Sequence, residues 1–339
     1  MRLRRVAAAF LIATFAVAAA QAKPLVHLRI GWVVTPADIF PLMFLKPGLA
    51  PHAGKTYIPE LIHFRGTSTE MTALATGALD IGALAYSTFA LSIENAGMSD
   101  LRVIADTFQD GVPGYHTNPF DVRKKSAIHR VEDLKGKVLA TNETGSAVDV
   151  ALRAMLKKHG LDPKRDVTII EAPFPAQRAM LQEGTVDLIP AVEPFGFDPK
   201  LRAFARVLFT QRQAMGRTQM IFTVARAGFL AKHRAVMVDF LEDYLRVLHY
   251  FLDPAHHEEA VRLVAKATRR KPSFYAAWLF TKRDYYRDPE GLPDLAALQA
   301  NIVLQKKLGF LKSSLDVRKY ADLSLVKAAA RRLRSKAGR

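Results

Sequence analysis

The chain has 339 residues, of which 50% are hydrophobic and 24% charged, and this predicts a folded protein of two domains at roughly 150 residues per domain. It contains no cysteine, which excludes disulfides, thiolate metal sites and a cysteine nucleophile. The formal net charge is +17, but the basic residues are scattered and show no known nucleic-acid-binding module, so we expect no nucleic-acid partner.

The first 22 residues are predicted to be a signal peptide. Three arginines lie within the first five residues, residues 6–20 form an apolar run, and Ala20 and Ala22 provide the small residues at which signal peptidase cuts. The run is shorter than the roughly 20 residues that a membrane-spanning helix needs. We therefore expect cleavage after Ala22 and a soluble mature protein in the periplasm.

Strands alternate with helices in the rest of the chain. The predicted elements are, in chain order, strands 26–33 and 56–64, helix 69–76, strands 79–84 and 138–141, helix 145–159, strand 167–172, helix 175–183, strands 186–192 and 219–225, and helices 232–252, 256–268, 272–287, 293–308 and 322–334. Such alternation implies mostly parallel sheets with helices on both faces. The helical C-terminal region is expected to pack against one lobe.

A short unit occurs twice. Residues 77–81 (Gly-Ala-Leu-Asp-Ile) and 184–188 (Gly-Thr-Val-Asp-Leu) each follow a predicted helix and lead into a strand. The glycine suits the left-handed position that ends a helix, and the aspartate can bond turn backbone. The repeat predicts two α/β lobes built alike. We expect lobe 1 to comprise residues 23–114 plus 222–339, and lobe 2 residues 115–221.

Four loops are candidates for a ligand site. Ligands of open α/β sheets bind beyond the carboxyl ends of the strands, where helix N-termini present N–H groups. The four loops carry hydroxyls or glycine amides at such places: Thr35-Pro36, Gly66-Thr67-Ser68-Thr69, Tyr86-Ser87-Thr88 and Thr144-Gly145-Ser146. Serine and threonine are also good N-caps, so any one loop could serve only to start a helix. Four such loops, split between both lobes, favour a shared cleft.

Several segments, in this order, resemble the importer substrate-binding proteins of the sulfonate, nitrate, taurine and thiamine-precursor group. The segments are Leu28-Arg29-Ile30-Gly31, Phe64-Arg65-Gly66, residues 73–82, Asp133-Leu134-Lys135-Gly136-Lys137, Gly145-Ser146 and Glu193-Pro194-Phe195. The resemblance covers residues 26 to about 230. It implies the two-lobed type II periplasmic-binding fold, in which each lobe is a mostly parallel sheet flanked by helices.

The resemblance also implies a function and a site. A small molecule is held between hinged lobes and presented to an ABC permease and its ATPase by a monomer that needs no cofactor. In that family the ligand contacts fall on the loops after the early strands. Carried over to this sequence, the contact residues are Thr35, Ser68, Thr69, Ser87, Gly145, Ser146 and the segment at Glu193.

The nature of the ligand stays open between two alternatives. Arg65 and Arg217 are candidates for binding a small organic anion such as a sulfonate, a carboxylate or nitrate, because a guanidinium matches such groups in a fork. Glu193 would repel an anion and suits an amine or a ring N–H. Tyr86 and other aromatic residues could stack on a ring. We expect the anion, with a thiamine-precursor pyrimidine, another heterocycle or an aromatic acid as the alternative.

Enzymatic function finds little support in the sequence. It has no Gly-x-Ser-x-Gly elbow, no Walker loop and no His-Glu-x-x-His motif. The cluster His256-His257-Glu258-Glu259 is typical of a solvated helix start. Pyrimidine-precursor synthases share the implied fold, but they usually carry a cysteine-rich segment. A two-lobed sensor protein is a further alternative to the transport role.

Overall fold

The computed structural model describes residues 24–313 and 315–337. The predicted signal peptide lies outside these residues. The strands are β1 Val26–Trp32, β2 Tyr57–His63, β3 Ile81–Ala85, β4 Leu101–Asp110, β5 Pro119–Arg123, β6 Val138–Thr141, β7 Thr168–Glu171, β8 Leu188–Pro190, β9 Ala205–Thr210 and β10 Thr218–Arg226. The helices are α1 Thr67–Ala75, α2 Tyr86–Asn95, α3 Ala147–Lys158, α4 Phe174–Glu183, α5 Pro199–Phe204, α6 Gln211–Met215, α7 Ala227–Lys232, α8 Arg234–Leu252, α9 His257–Ala267, α10 Leu295–Lys307 and α11 Ser324–Ala337.

The strands form two five-stranded sheets with the same plan. Sheet 1 has the order β2-β1-β3-β10-β4 and sheet 2 the order β7-β6-β8-β5-β9. The first three strands of each order run parallel, and the fourth is antiparallel to both of its neighbours. The chain passes from sheet 1 to sheet 2 before β5 and returns to sheet 1 before β10. The fourth strand of each sheet is thus the first strand that the chain forms after it passes into that sheet from the other. The α/β fold with two similar lobes is thereby confirmed.

The repeated aspartate does the same work in both sheets. Asp80 Oδ2 accepts a hydrogen bond of 3.0 Å from the backbone N–H of Arg29 on β1. Asp187 Oδ2 accepts one of 3.2 Å from the backbone N–H of Val138 on β6. Each aspartate also pairs with an arginine, Asp80 with Arg29 itself and Asp187 with Arg123. The aspartate therefore ties the start of its own strand to the neighbouring parallel strand, rather than bonding only its own turn.

The glycines of the repeat end their helices in the left-handed conformation that the sequence predicts. Gly77 has φ +73° and Gly184 φ +83°. No heavy atom lies near a Cβ built at Gly77, so the backbone conformation rather than crowding calls for glycine there.

Most C-terminal helices pack on sheet 1. The aromatic side chains of Phe40 and Tyr57 are fully buried against Phe240 and Tyr244 of α8. Helix α11 packs on α8 and β4, and α10 packs on β10. In the described part of the chain, no helix is long and apolar enough to cross a membrane.

One predicted helix is wrong, and three strands were not predicted. The segment 272–287 forms only a short 3₁₀ turn, Pro272–Phe274, followed by turns in which Phe280 has a positive φ of 54°. Gln109 of β4 donates its backbone N–H to the carbonyl of Tyr286 at 2.8 Å. This segment therefore lies against the end of sheet 1 instead of forming a separate helix. The unpredicted strands are β4, β5 and β9.

Candidate ligand-binding site

A cavity lies between the two sheets, and residues from both sides line it. The space that it encloses, together with its mouth, which is open to solvent, is about 500 Å³. The lining residues are Val33, Val34, Ala37, Asp38, Thr67, Ala85, Phe108, Asn118, Asn142, Ser146, Ala147, Val148, Phe174, Val192, Glu193, Met220, Ile221 and Tyr285. Most are apolar, two carry carboxyl groups, and among the described residues no lysine, arginine or histidine lines the cavity.

Asp38 is the first cavity carboxyl group. It follows β1 and folds back on it, so that Oδ2 accepts the N–H groups of Val33 at 2.7 Å and Val34 at 3.0 Å. Its side chain is buried, and Oδ1 has no hydrogen-bond partner in residues 24–313 and 315–337. Burial raises the pKa of Asp38 to about 6, although the two N–H donors and the charge of Arg287 oppose the rise. Oδ1 is thus an acceptor that a ligand donor would satisfy.

Glu193 is the second cavity carboxyl group, and it follows β8 across the cleft. It is only 1% exposed, and neither of its carboxylate oxygens has a hydrogen-bond partner in the described ranges. Burial, with a further contribution from nearby Asp284, raises its pKa well above the usual range. His116 Nε2 lies 3.7 Å from Oε1, but burial lowers the pKa of His116 to about 4. The histidine is therefore neutral near pH 7, and the two do not form an ion pair.

The turn that holds Tyr285 forms the back of the cavity. The Tyr285 hydroxyl donates to Asn118 Oδ1 and accepts a long hydrogen bond, 3.4 Å, from the backbone N–H of Glu193. The ring stacks on Phe108 with 4.3 Å between centroids. The fully buried Arg287 pairs with Asp284 at 2.8 Å. This segment was predicted as a helix, and nothing in its sequence pattern indicates that it lies at the site.

The start of α3 forms the wall on the side of sheet 2. Ser146 caps the helix, because its Oγ accepts the N–H of Asp149 at 3.4 Å, and it donates to Asn142 Oδ1 at 2.8 Å. Ala147 and Val148 line the cavity, and N–H groups in the first turn of a helix have no partner within that helix. The cavity thus combines backbone donors at α3 with carboxyl acceptors at Asp38 and Glu193.

Residues 21–265, more than half of the chain, match the NMT1-like family. The chain belongs to this family. Among solved structures, this NMT1-like chain resembles the periplasmic aliphatic sulphonate binding protein SsuA of Escherichia coli, with a TM-score of 0.67 and 20% identity over 87% of this chain and 91% of that one. It also resembles the periplasmic nitrate-binding protein NrtA of Synechocystis PCC 6803, with a TM-score of 0.70 and 15% identity over 93% and 90% of the two chains.

A third structure with the same fold is an enzyme. The desulfurization enzyme DSZB gives a TM-score of 0.63 and 13% identity, over 91% of the NMT1-like chain and 99% of its own. At these sequence identities the three similarities establish the fold alone. Whether the chain binds a solute or catalyses a reaction has to be argued from the residues of its site. In the described residues, no group of three or more His, Cys, Asp or Glu side chains could hold a metal ion.

Of the residues predicted for the site, Ser146 and Glu193 line the cavity. Tyr86 does not line the cavity, but its hydroxyl donates from the side of sheet 1 to the carbonyl of Ala147, which does, at 2.9 Å. Thr35 and Ser87 are not among the lining residues, and each has a buried hydroxyl with no partner within the described ranges. Thr35 instead lines an adjoining pocket, together with Arg65.

Another group of predicted residues meets at the rim of the cleft. Arg65, Ser68 and Thr69 all donate to Glu143, which follows β6 on the opposite side. Gly145 adopts φ +79° and donates its N–H to Asp149 at 2.9 Å. It lines a separate surface groove beside α3 rather than the cavity. Arg65, Ser68 and Thr69 thus join the two sides instead of facing the enclosed space, whereas Gly145 bonds within its own side.

Arg217 is placed apart from the rest. Its guanidinium pairs with Asp294 at 2.9 Å and donates to Gln109 at 3.0 Å. Neither partner lines the cavity. An arginine held in this way has its donors engaged on the side of sheet 1.

The sequence interpretation missed four polar residues that line the cavity and one at its rim. Asp38, Asn118, Asn142 and Tyr285 line the cavity, and Glu143 bridges its rim. Asp38 and Asn142 each follow a predicted strand closely, so their position was a usable signal. Tyr285 had no such signal, because the turn that carries it is fixed by contacts with distant parts of the chain.

Proposed function

We propose that this chain is the solute-binding component of an ABC importer, acting as a periplasmic monomer. It takes up a small molecule between two hinged lobes, residues 23–114 plus 222–339 and residues 115–221, and delivers it to a permease and its ATPase. Membership of the NMT1-like family supports this role. The observation that carries it is the cavity between the two sheets, walled by loops from both. The ligand would then favour the closed arrangement of the lobes, because it binds that arrangement more tightly than the open one.

We further propose that the solute is compact, has an apolar body and carries hydrogen-bond donors or a positive charge. The apolar lining suits such a body, and the partnerless oxygens of Asp38 and Glu193 suit N–H groups. A second polar end could accept from the first turn of α3. The small organic anion expected from the sequence has less support, since ionised Asp38 would face it and, among the described residues, no lysine, arginine or histidine lines the cavity.

A matched set of probes tests both parts of the proposal. Thermal unfolding of the mature protein is followed with benzylamine, benzyl alcohol, benzoate, benzenesulfonate, a 4-aminopyrimidine and nitrate. Because a ligand that binds only the folded state raises the unfolding temperature, we expect the amine and the aminopyrimidine to stabilise the protein and the anions not to. Stabilisation by anions alone would contradict the ligand class but keep the binding role. A flat response to every probe would contradict the binding role for solutes of this size.

Delivery to a permease needs its own measurement. The purified protein is added to liposomes that hold a candidate permease and its ATPase, and ATP hydrolysis is followed. We expect a rise in hydrolysis that depends on the stabilising probe. A gene neighbourhood with a receptor kinase instead, and no importer, would favour the sensor alternative.

A further inference from the structure

Glu143 is buried at the rim of the cleft and makes its contacts with the opposite side. It follows β6 of sheet 2 and is 3% exposed. Its Oε1 accepts from Arg65 Nε at 3.1 Å and from Thr69 Oγ1 at 3.2 Å, and its Oε2 accepts from the backbone N–H of Ser68 at 3.2 Å. All three donors belong to the loop and first turn that start α1 on the side of sheet 1.

These contacts supply what α1 lacks. The residue before the helix is Gly66, and no side chain from its own segment caps the N-terminus. Serine, threonine, aspartate or asparagine normally provides that hydrogen bond. Here a carboxylate from the other side of the cleft takes the place of the cap, and the positive end of the helix dipole favours a negative group there.

Gly66 permits this approach. A Cβ built on it would lie 2.2 Å from Glu143 Oε2 and 2.8 Å from Asn142 Nδ2. Its backbone is extended, with φ −173° and ψ 168°, so alanine could adopt the same conformation. Glycine is thus required by the closeness of the two sides and not by its dihedral angles.

Two further hydrogen bonds cross at the same place. Ser68 Oγ donates to the carbonyl of Thr144 at 3.3 Å, and Tyr86 donates to that of Ala147 as described above. Both are formed between neutral groups. The Glu143 contacts are charge-assisted and therefore the stronger of the set.

We propose that Glu143 is a latch: it caps α1 across the cleft, so that this helix is fully capped only when the two sides are closed. Opening the hinge would separate the carboxylate from the Ser68 N–H and the Thr69 hydroxyl and return both to water. The latch depends on the hinge motion of the proposed function but not on the identity of the solute.

The test measures the opening of the cleft without solute. The chain has no cysteine, so Thr72→Cys on α1 and Ala176→Cys on α4, both exposed positions, give a unique pair for spin labels. Pulsed electron paramagnetic resonance then measures the distances between the two spin labels. We expect Glu143→Ala to lower the ratio of closed to open molecules roughly tenfold or more, as the loss of charge-assisted hydrogen bonds implies.

Asp162→Ala is the matched control. Asp162 also accepts a backbone N–H, that of Lys164 at 2.9 Å, and an arginine Nε, that of Arg165 at 2.7 Å, but both bonds stay on the side of sheet 2. We expect its distances to match those of the parent. In Glu143→Ala, formate can replace the lost carboxylate and should restore the short distance, whereas chloride at the same ionic strength should not.

Gly66→Ala tests the latch from the side of α1. Its added methyl group displaces the Glu143 carboxylate, so this variant should also open the cleft, and it should add little opening to Glu143→Ala. Unchanged distances in Glu143→Ala, or equal opening in Asp162→Ala, would overturn the proposal. Because no solute is present, that failure is distinct from a flat response in the probe screen.

Discussion

The two helices that meet at the cleft, α1 and α3, begin in different ways. α3 carries its own cap, Ser146, and its first turn lines the cavity. α1 follows Gly66 and receives its cap from Glu143 on the opposite side. The cap of α3 therefore comes from its own side of the cleft, while the cap of α1 comes from the other side. The capping of α1 thus depends on the approach of the two sides, and that of α3 does not.

The largest expected effect comes from filling the cavity at the self-capped helix. In Ser146→Trp the indole ring would occupy the space between the sheets, so we expect affinity for any stabilising probe to fall by roughly a hundredfold or more, in line with the 1.4 kcal/mol that each tenfold change represents. Isothermal titration calorimetry measures the change. Loss of the N-cap should also lower the free energy of unfolding by about 1 kcal/mol.

Ser335→Trp provides the control for that substitution. Ser335 is exposed on α11 and is not among the lining residues, and its replacement should leave affinity unchanged. Full affinity in Ser146→Trp, with native circular dichroism, would mean that the solute binds elsewhere.

The parts of the fold that the sequence predicted are those that local pattern determines. β1, β2 and α3 show strand or helix periodicity, and Gly77 and Gly184 end helices as expected. β4 was not predicted, because it buries polar side chains whose hydrogen-bond partners are distant in the sequence. Asp106 on it accepts from Gln219 at 2.6 Å and from the backbone N–H of Asp288 at 2.9 Å, and these partners lie more than a hundred residues away.

The same reason explains the wrong helix at 272–287. Its aromatic spacing is helical, but Asp284 accepts the N–H of Phe280 at 2.7 Å, and Arg287 donates to the carbonyls of Pro36 and Ala37. Tertiary contacts therefore override local preference. For the site, Ser146 was predictable from its loop, and Glu193 was implied by the family resemblance. The latch was not, since a single glutamate in a loop carries no signal of what it will face.

The feature that the two lobes share, an aspartate that ties two parallel strands, can be tested at both positions. Asp80→Ala and Asp187→Ala each leave a strand N–H without its acceptor, so we expect each to lower the free energy of unfolding by about 1–3 kcal/mol. Urea denaturation monitored by circular dichroism measures the loss. Asp198→Ala, which removes a cap on the short helix α5, is a control that should cost less. Unequal losses at 80 and 187 would mean that the two lobes are alike in topology but not in what stabilises them.

The two glutamates of the cleft should respond to neutralisation with opposite signs. The pKa of Glu193 is raised in the folded state by burial, so folding favours its protonated form, and its contribution to stability is lost as pH rises from the ordinary glutamate range through the raised value. Glu193→Gln cannot ionise. We therefore expect this variant to be more stable than the parent at pH 8, by a margin that shrinks towards pH 5.

Thermal unfolding across that pH range measures the margin. His116, whose pKa is lowered to about 4, is present in both proteins, so its own titration cancels in the difference. Glu143→Gln should instead destabilise the protein, because its carboxylate has three donors. A margin that stays constant with pH would show that Glu193 keeps the same protonation state throughout.

The smallest expected effect concerns the exposed member of the latch. The Arg65 side chain is 69% exposed while that of Glu143 is 4% exposed, and exposed ion pairs contribute about 0–1 kcal/mol and weaken with salt. Arg65→Ala should therefore lower the free energy of unfolding by less than about 1 kcal/mol and open the cleft far less than Glu143→Ala. Arg217→Ala is the matched control, since Arg217 is also partly exposed and pairs with Asp294 on the side of sheet 1 alone. If Arg65→Ala opened the cleft as much as Glu143→Ala, the ion pair rather than the start of α1 would hold the two sides together.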